Sequence, residues 1–187
     1  MRTLALTALV CFAFTAKSQI VYDEGKPPER RRSPELEALN FMVGRWTSEA
    51  VVRETPQSKE FKSKGTAVTQ WSPNGQFLIS DGWLLIKSPD SSPNFWAATF
   101  SVTTWDPIKK EYRVTNVSAT LTETSSMIVE GRKTTVRSES RKEGHVTRCR
   151  SVSERMSDTE TRFRNECAID DGPTWVFIEG TARRISD

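Results

Sequence analysis

The sequence predicts an all-β protein: an antiparallel meander of about nine strands that closes into a barrel, preceded by one short N-terminal helix. From Trp46 onward, runs rich in Val, Thr, Ile, Phe and Trp alternate with turn residues at short intervals, which is typical of a β-sandwich or barrel. After residue 44 no segment has the length and period of an amphipathic helix, so parallel strands with crossover helices are not expected. Large apolar side chains for an interior come from Trp46, Trp71, Trp83, Trp96, Trp105 and Trp175.

Residues 1–18 have the order of a signal peptide. The basic residue Arg2 precedes an apolar run from Leu4 to Phe14, and the small residues Ala16 and Ser18 follow. This arrangement predicts cleavage after Ser18, with Ala16 as the alternative site. The run is too short for a membrane anchor, because crossing a bilayer takes about 20 apolar residues. We therefore expect an exported protein, periplasmic or secreted, without stable membrane insertion.

Cleavage also changes the charge balance of the chain. The formal net charge of +3 includes Arg2 and Lys17, so the mature chain keeps 25 basic and 24 acidic residues and a net charge of +1. Basic and acidic residues are interleaved, and no block of like charge is longer than Arg30-Arg31-Arg32. A nearly neutral chain with mixed charges argues against nucleic acid as a partner.

The N-terminal part of the mature chain predicts a flexible leader at residues 19–33 and then one short helix. The leader contains two adjacent prolines and a basic triplet and lacks apolar periodicity. Ser33 suits a helix cap, and Pro34 suits the first helical position, where its missing N–H has no consequence. The helix is expected to end near Gly44. Residues 34–187 are then expected to form a single barrel domain.

The predicted strands follow one another at short intervals, so consecutive strands should pair antiparallel. They cover residues 45–54, 60–71, 76–86, 95–105, 111–120, 126–139, 145–155, 161–169 and 174–184. The sixth strand is long enough to bend or to split at Gly131. Turns are expected at Pro73-Asn74-Gly75 and at Asp106-Pro107, and Ser88 to Asn94 is expected to be a loop.

Cleavage discards Cys11 and leaves two cysteines, Cys149 and Cys167, which lie symmetrically about Asp158. A hairpin centred there pairs residues whose numbers sum to 316, so it sets Cys149 opposite Cys167. The same register pairs opposite charges on the other face: Arg150 with Glu166, and Glu154 with Arg162. In an oxidising compartment this pattern favours a disulfide, worth about 2 to 4 kcal/mol. Two buried free thiols are the alternative.

The sequence also carries a resemblance to a known fold family. The order of short helix, Gly44-Arg45-Trp46 and strand resembles the start of calycin and lipocalin-like barrels, in which the indole of this motif closes one end. Further segments are similar to a family of secreted bacterial proteins with a lipocalin-like domain of unknown function, numbered 1579. They are Leu39 to Trp46, Asn74 to Leu78, Trp105 to Pro107, Lys109 to Tyr112, and Glu130-Gly131. The resemblance implies a lipocalin-like barrel and assigns no activity.

Two features depart from that family. The loop from Ser88 to Asn94 lacks the glycines expected between the corresponding strands, and the hairpin of Cys149 and Cys167 is not a family feature.

The residue types that usually carry catalysis or bind metals are scarce. His145 is the only histidine, which excludes a multi-histidine metal site. We expect it to be exposed at the start of a strand; haem binding, as in nitrobindin-like barrels, would require it to face the lumen. No nucleophile elbow, phosphate loop or zinc-type spacing is present, and Asp170-Asp171-Gly172 is expected to be a turn. The sequence therefore predicts no catalytic residue, no metal and no cofactor.

The favoured function is non-catalytic binding of a small hydrophobic ligand in an aromatic lumen. Its predicted lining is Trp71, Phe77, Trp83, Phe100, Trp105 and Tyr112. One alternative is an envelope interaction module whose barrel interior is filled. The other is a hydrolase or isomerase that uses a buried carboxylate, for which the candidates are Asp81, Glu130 and Glu179.

Overall fold

The computed structural model describes residues 31–86, 95–118 and 122–186, apart from the side chains of Ile86, Phe95 and Ser186. The predicted signal peptide, most of the leader and the loop from Ser88 to Asn94 lie outside these ranges. A short helix, α1 (Pro34–Glu37), and a 3-10 turn (Asn40–Met42) precede ten strands. The strands are β1 (Gly44–Val52), β2 (Phe61–Trp71), β3 (Leu78–Ile86), β4 (Phe95–Asp106), β5 (Glu111–Val117), β6 (Thr122–Glu130), β7 (Lys133–Lys142), β8 (His145–Arg155), β9 (Glu160–Ile169) and β10 (Trp175–Ser186).

The strands form a closed antiparallel barrel in which each pairs with its neighbours in sequence and β10 pairs with β1. The predicted all-β meander with a short N-terminal helix is confirmed. The number of strands is ten rather than nine, because the predicted strand at 126–139 contains two. Gly131, with a φ of 61°, provides the turn between β6 and β7, and glycine adopts this backbone conformation without a side-chain clash.

Side chains alternate between the lumen and the outer face, as the pleat of a β-strand requires. On β2 the lumen positions Ser63, Gly65 and Thr69 are buried, while Lys62 and Lys64 are exposed. Opposing residues keep the same face, so the small residues Ser80 and Gly82 of β3 also lie on the lumen side, opposite Thr69 and Ala67. Such side chains leave room inside the barrel instead of filling it.

The N-terminal segment closes one end of the barrel, here called the capped end. Ser33 accepts a hydrogen bond from the Leu36 backbone N–H at 3.3 Å, which is the predicted helix cap. Leu39 is fully buried and packs against Leu78, Tyr112 and Met127. The opposite end, here called the open end, carries the turn between β7 and β8.

Two hydrogen bonds fix this cap to the strands. The Tyr112 hydroxyl donates to the Glu35 carbonyl oxygen at 2.6 Å. The Trp46 indole N–H donates to the Met42 carbonyl oxygen at 2.9 Å. The tryptophan of the Gly44-Arg45-Trp46 segment therefore lies at the capped end and binds the segment that closes it.

The hairpin of β8 and β9 has the register that the sequence predicts. Cys149 faces Cys167 in a disulfide, with their Cα atoms 4.1 Å apart. The predicted charge pairs, Arg150 with Glu166 and Glu154 with Arg162, also lie opposite each other. The nearest cation to the Glu166 carboxylate is on its own strand, however, where Arg164 Nε donates to it at 2.9 Å.

The wall of the barrel is incomplete between β6 and β7. Their residues pair only from Glu130 with Lys133 to Ser126 with Arg137. Beyond Ser126, toward the open end, β6 pairs only with β5, and β7 beyond Arg137 pairs only with β8. The two strands therefore separate and leave a cleft in the open half of the wall, here called the β6–β7 cleft.

Candidate functional site

A cavity of about 230 Å³ lies inside the barrel at the capped end. It is called the lumen cavity below. Its apolar lining comes from the closing segment and from lumen positions of five strands. These residues are Phe41, Met42, Trp46, Ala67, Met127, Val136 and Ala182. Ala67 of β2 and Ala182 of β10 are small lumen side chains, and they leave room for the cavity beside Trp46.

The polar lining of the lumen cavity consists of hydroxyls and two cations. The hydroxyls belong to Thr69, Thr134, Ser153 and Thr161. The guanidinium of the half-buried Arg155 lies over the ring of Phe41, 4.9 Å from its centroid. Arg132, from the turn between β6 and β7, is the second cation. Because no described carboxylate lines this cavity, its charge favours a ligand with an anionic end.

Three of the six predicted ligand-binding residues belong to the packed cluster beside the lumen cavity. Tyr112 is buried, and its ring meets that of Trp105 edge to face with centroids 4.9 Å apart. The Trp71 indole N–H donates to the Asn40 side-chain oxygen at 2.9 Å. The cluster fills the capped end under β3, β4 and β5. These three side chains therefore pack in the filled part of the interior, beside the lumen cavity.

The other three predicted residues are exposed. Phe77 lies before β3 with 39 % of its surface exposed, Trp83 is 52 % exposed, and Phe100 is 40 % exposed. Trp83 and Phe100 occupy outer-face positions. Each follows a lumen position, Gly82 on β3 and its partner Thr99 on β4, and side chains alternate along a strand. The structure therefore brings Trp71, Trp105 and Tyr112 together at the capped end and places Phe77, Trp83 and Phe100 away from the lumen cavity.

The sequence interpretation missed Phe41, Met42 and Arg155 as cavity residues. Phe41 and Met42 lie just before Gly44-Arg45-Trp46, separated from it only by Val43, and the segment is expected to close the barrel. Their position is therefore a usable signal. Arg155 is the last residue of β8. Only the closure of the sheet brings it near Phe41, so no local pattern marks it.

The three carboxylates considered for catalysis lie on the surface. Asp81, Glu130 and Glu179 are all exposed, and Glu179 accepts a bond from Arg164 Nη1 at 3.2 Å. The enzyme alternative needs a carboxylate buried in an apolar wall. That burial is absent at these three positions.

His145 lies at the open end, with 66 % of its side chain exposed. Its Nδ1 is hydrogen-bonded to the Asp170 carboxylate, which also accepts the Val146 backbone N–H at 2.8 Å. These two bonds hold the pKa of Asp170 below its usual value, and the bond with His145 has the larger effect.

Asp170 and Asp171 form a turn with positive φ values of 48° and 59°. Among the described residues, no three His, Cys, Asp or Glu side chains form a group suited to a metal ion.

No helix in the described ranges has the length and apolar character that a bilayer crossing needs.

Comparison with known proteins identifies the fold but not the family. No protein-family model and no curated protein sequence matches the chain. Among the solved structures that resemble it are Rv2717c from M. tuberculosis and the S-type phycobiliprotein lyase CPES from Guillardia theta. Rv2717c has a TM-score of 0.56 at 11 % identity, over 82 % of this chain and 99 % of its own. CPES has a TM-score of 0.50 at 9 % identity, over 81 % of this chain and 91 % of its own. Both are lipocalin-like barrels, as the sequence resemblance implies.

Proposed function

We propose that this chain is an exported, non-catalytic barrel that binds a small ligand with an apolar body in the lumen cavity. The observation that carries the proposal is the apolar enclosure of about 230 Å³ beside Trp46. Ligand pockets are usually about 300 to 1,000 Å³ and mainly apolar, with a few polar groups. A volume below that range favours a ligand of few atoms.

The charge of the lumen cavity refines the class of ligand. Arg132 and Arg155 line it without a described carboxylate, and an uncompensated guanidinium favours a carboxylate or a similar anion. The hydroxyls of Thr134 and Thr161 are further hydrogen-bond donors. The preferred ligand is therefore a short amphiphile with one anionic end. Trp71, Trp105 and Tyr112 contribute as the packed wall that bounds the cavity.

The test is a titration of tryptophan fluorescence with octanoate and with octanol, which share a chain and differ in charge. We expect saturable quenching by both, because Trp46 lines the cavity, and tighter binding of octanoate. Arg155→Gln should weaken octanoate binding and leave octanol binding unchanged. Absence of saturable quenching by either compound would refute the proposal.

A cavity-filling variant separates the lumen from the surface. Ala182→Leu places a larger side chain in the cavity and should abolish binding of both probes, with folding checked by circular dichroism. Ala98→Leu makes the same change at an exposed outer position of β4 and should leave binding intact. Equal binding by a folded Ala182→Leu variant would exclude the lumen cavity as the site.

Export is tested by the mass of the protein recovered outside the cytoplasm. The expected mature chain begins at Gln19 and contains the disulfide of Cys149 and Cys167. A disulfide is typical of oxidising compartments, which supports export. An unprocessed N-terminus in that fraction would contradict it.

An interaction module is the second candidate, favoured by exposed aromatic side chains on one outer face. Trp83 on β3 and Trp96 and Phe100 on β4 are 52 %, 54 % and 40 % exposed, and the register of the two strands makes them neighbours. Exposed apolar patches often mark protein interfaces. Affinity capture from an exported fraction with the wild type, but not with a Trp83→Ser/Trp96→Ser variant, would support this function.

A further inference from the structure

The β6–β7 cleft contains a second cavity, of about 670 Å³, which opens on the outer surface. Both faces of the wall contribute to it, because the pairing of β6 with β7 ends at Ser126 and Arg137. Its lining includes outer-face residues such as Arg137 and Arg150 and lumen-side residues such as Ser125, Cys149 and Cys167. The cleft is separate from the lumen cavity and shares none of its lining residues.

Two arginines of the cleft, Arg137 and Arg150, have no ion-pair partner in the part of the chain that the structure describes. Arg137 on β7 and Arg150 on β8 lie directly opposite each other, an arrangement in which like charges destabilise a sheet. Both are exposed and line the cleft. Neither forms an ion pair or a side-chain hydrogen bond with another described residue. The described residues thus hold two guanidinium groups side by side, and Glu166, which lies opposite Arg150 in the register, forms its ion pair with Arg164 instead.

The acidic residues that line the cleft are engaged elsewhere. Glu111 pairs with Arg113 at 3.7 Å, and Glu166 with Arg164 at 2.9 Å. Glu139 accepts bonds at 3.0 Å from both Arg148 and Arg141, which lower its pKa and keep it ionised. These ion pairs account for the carboxylates and leave Arg137 and Arg150 available.

An unpaired hydroxyl in the cleft is a second, independent observation. The side chain of Ser125 is only 2 % exposed, and its Oγ has no hydrogen-bond partner among the described residues. A buried hydroxyl without a partner is unfavourable by about 1 to 3 kcal/mol, so such a group usually meets a ligand or an ordered water. Ser126, the next residue, lies between Arg113 and Arg137 in the strand register.

We propose that the β6–β7 cleft binds a tetrahedral oxyanion of the phosphate class, held by Arg137 and Arg150 with hydroxyl donors from Ser125 and Ser126. Guanidinium groups suit phosphate because they donate two parallel hydrogen bonds to its oxygens. The cleft is much larger than a bare ion, so a phosphate monoester with an organic body fits it better than inorganic phosphate. This site is independent of the proposed lumen ligand.

The test is isothermal titration calorimetry of the mature protein at low ionic strength with inorganic phosphate, phenyl phosphate and phenol. We expect both phosphates to bind, phenyl phosphate more tightly, and phenol not to bind. Equal affinities for the two phosphates would identify the free ion as the ligand and overturn the preference for an ester. No saturable binding of either phosphate would overturn the site.

Variants locate the binding. Arg137→Gln and Arg150→Gln should each reduce phosphate affinity roughly tenfold or more, as expected for loss of a charge-assisted hydrogen bond. The matched control is Arg162→Gln, because Arg162 is an exposed arginine of β9 that does not line the cleft. The phosphate affinity of this variant should equal that of the wild type. An equal loss in all three variants would indicate general charge attraction and reject the site.

Stability without ligand gives a further readout. Arg137→Gln relieves the repulsion from Arg150 and should raise the urea midpoint when no phosphate is present. Adding phosphate should then stabilise the wild type more than the variant, since a ligand that binds only the folded state raises stability according to its affinity. Ser125→Ala should weaken phosphate binding without lowering the urea midpoint, because it removes an unpaired buried hydroxyl. Unchanged phosphate binding by this variant would remove Ser125 from the site.

Discussion

The guanidinium of Arg184 lies over the indole of Trp46, 5.0 Å from the ring centroid, and its Nη2 donates to the Phe41 carbonyl oxygen at 2.6 Å. Arg184 belongs to the last strand and Trp46 to the first, while Phe41 belongs to the segment that closes the barrel. One side chain therefore joins the two strands that complete the sheet to the segment that covers its end.

Replacing this side chain should destabilise the fold far more than replacing its neighbour. Arg184→Met keeps an apolar stem but loses the charged donor and the contact with the indole, at an expected cost of about 2 kcal/mol. Arg183→Met removes an exposed ion pair with Glu160, worth about 0 to 1 kcal/mol. Urea unfolding of both variants measures the difference. Equal midpoints would show that Arg184 contributes no more than a surface charge.

The disulfide of Cys149 and Cys167 should stabilise the protein by about 2 to 4 kcal/mol, mainly by restricting the unfolded chain. The measurement is urea unfolding with and without a reductant. The Cys149→Ala/Cys167→Ala variant is the control: its midpoint should lie below that of the oxidised wild type and should not change when the reductant is added. A wild type whose midpoint does not respond to complete reduction would contradict the prediction.

Tyr112 should make the fold sensitive to alkali. Burial, and then the charge of Glu35, raise the pKa of its phenol above the usual value. The folded state thus keeps a proton that the unfolded state loses near pH 10. The stability that this provides is fully present below the unfolded pKa and is lost as pH rises toward the folded value.

The check on Tyr112 compares the wild type with Tyr112→Phe by urea unfolding at about pH 8 and about pH 11. At the lower pH the variant should be less stable by about 1 kcal/mol, because the bond to the Glu35 carbonyl is lost. At the higher pH the gap should narrow. Parallel losses in the two proteins would show that Tyr112 does not contribute to the alkaline response.

Gly180 should not tolerate a side chain. An added Cβ would lie 2.2 Å from the Glu49 carbonyl oxygen and 2.8 Å from the Ala50 Cα, so β1 would have to move away from β10. We expect Gly180→Ala to destabilise the protein by about 1 to 3 kcal/mol in urea unfolding. Thr181→Ala, the neighbouring change on the outer face, should stay within about 0.5 kcal/mol. Similar midpoints for the two variants would refute the close approach.

Local patterns were sufficient to predict most of the fold. Hydrophobic runs and turn residues located the strands to within a few residues except at 126–139, where Gly131 marked the division. The symmetry of Cys149 and Cys167 about Asp158 gave the register of β8 and β9, because an antiparallel hairpin relates partners by a constant sum.

The site was harder to predict, because its residues meet only when the sheet closes. Arg155 and Phe41 are distant in sequence, and no spacing connects them. The aromatic residues were an unreliable guide to the lumen, since Trp83 is exposed while Gly82 faces inward. In this barrel the small residues of β2 and β3 mark the inner face, and large apolar side chains occur on both faces.

The pairing of β1 with β10 also constrains how the protein folds. The two strands pair from Arg45 to Val52 although nearly the whole barrel sequence separates them, and contacts of such long sequence separation slow folding. Until β10 is in place, β1 and β9 each present an unpaired edge, which is a template for pairing with another chain. A chain that ends before Trp175 would retain both edges permanently, so aggregation rather than a smaller barrel is the expected fate of C-terminal truncations.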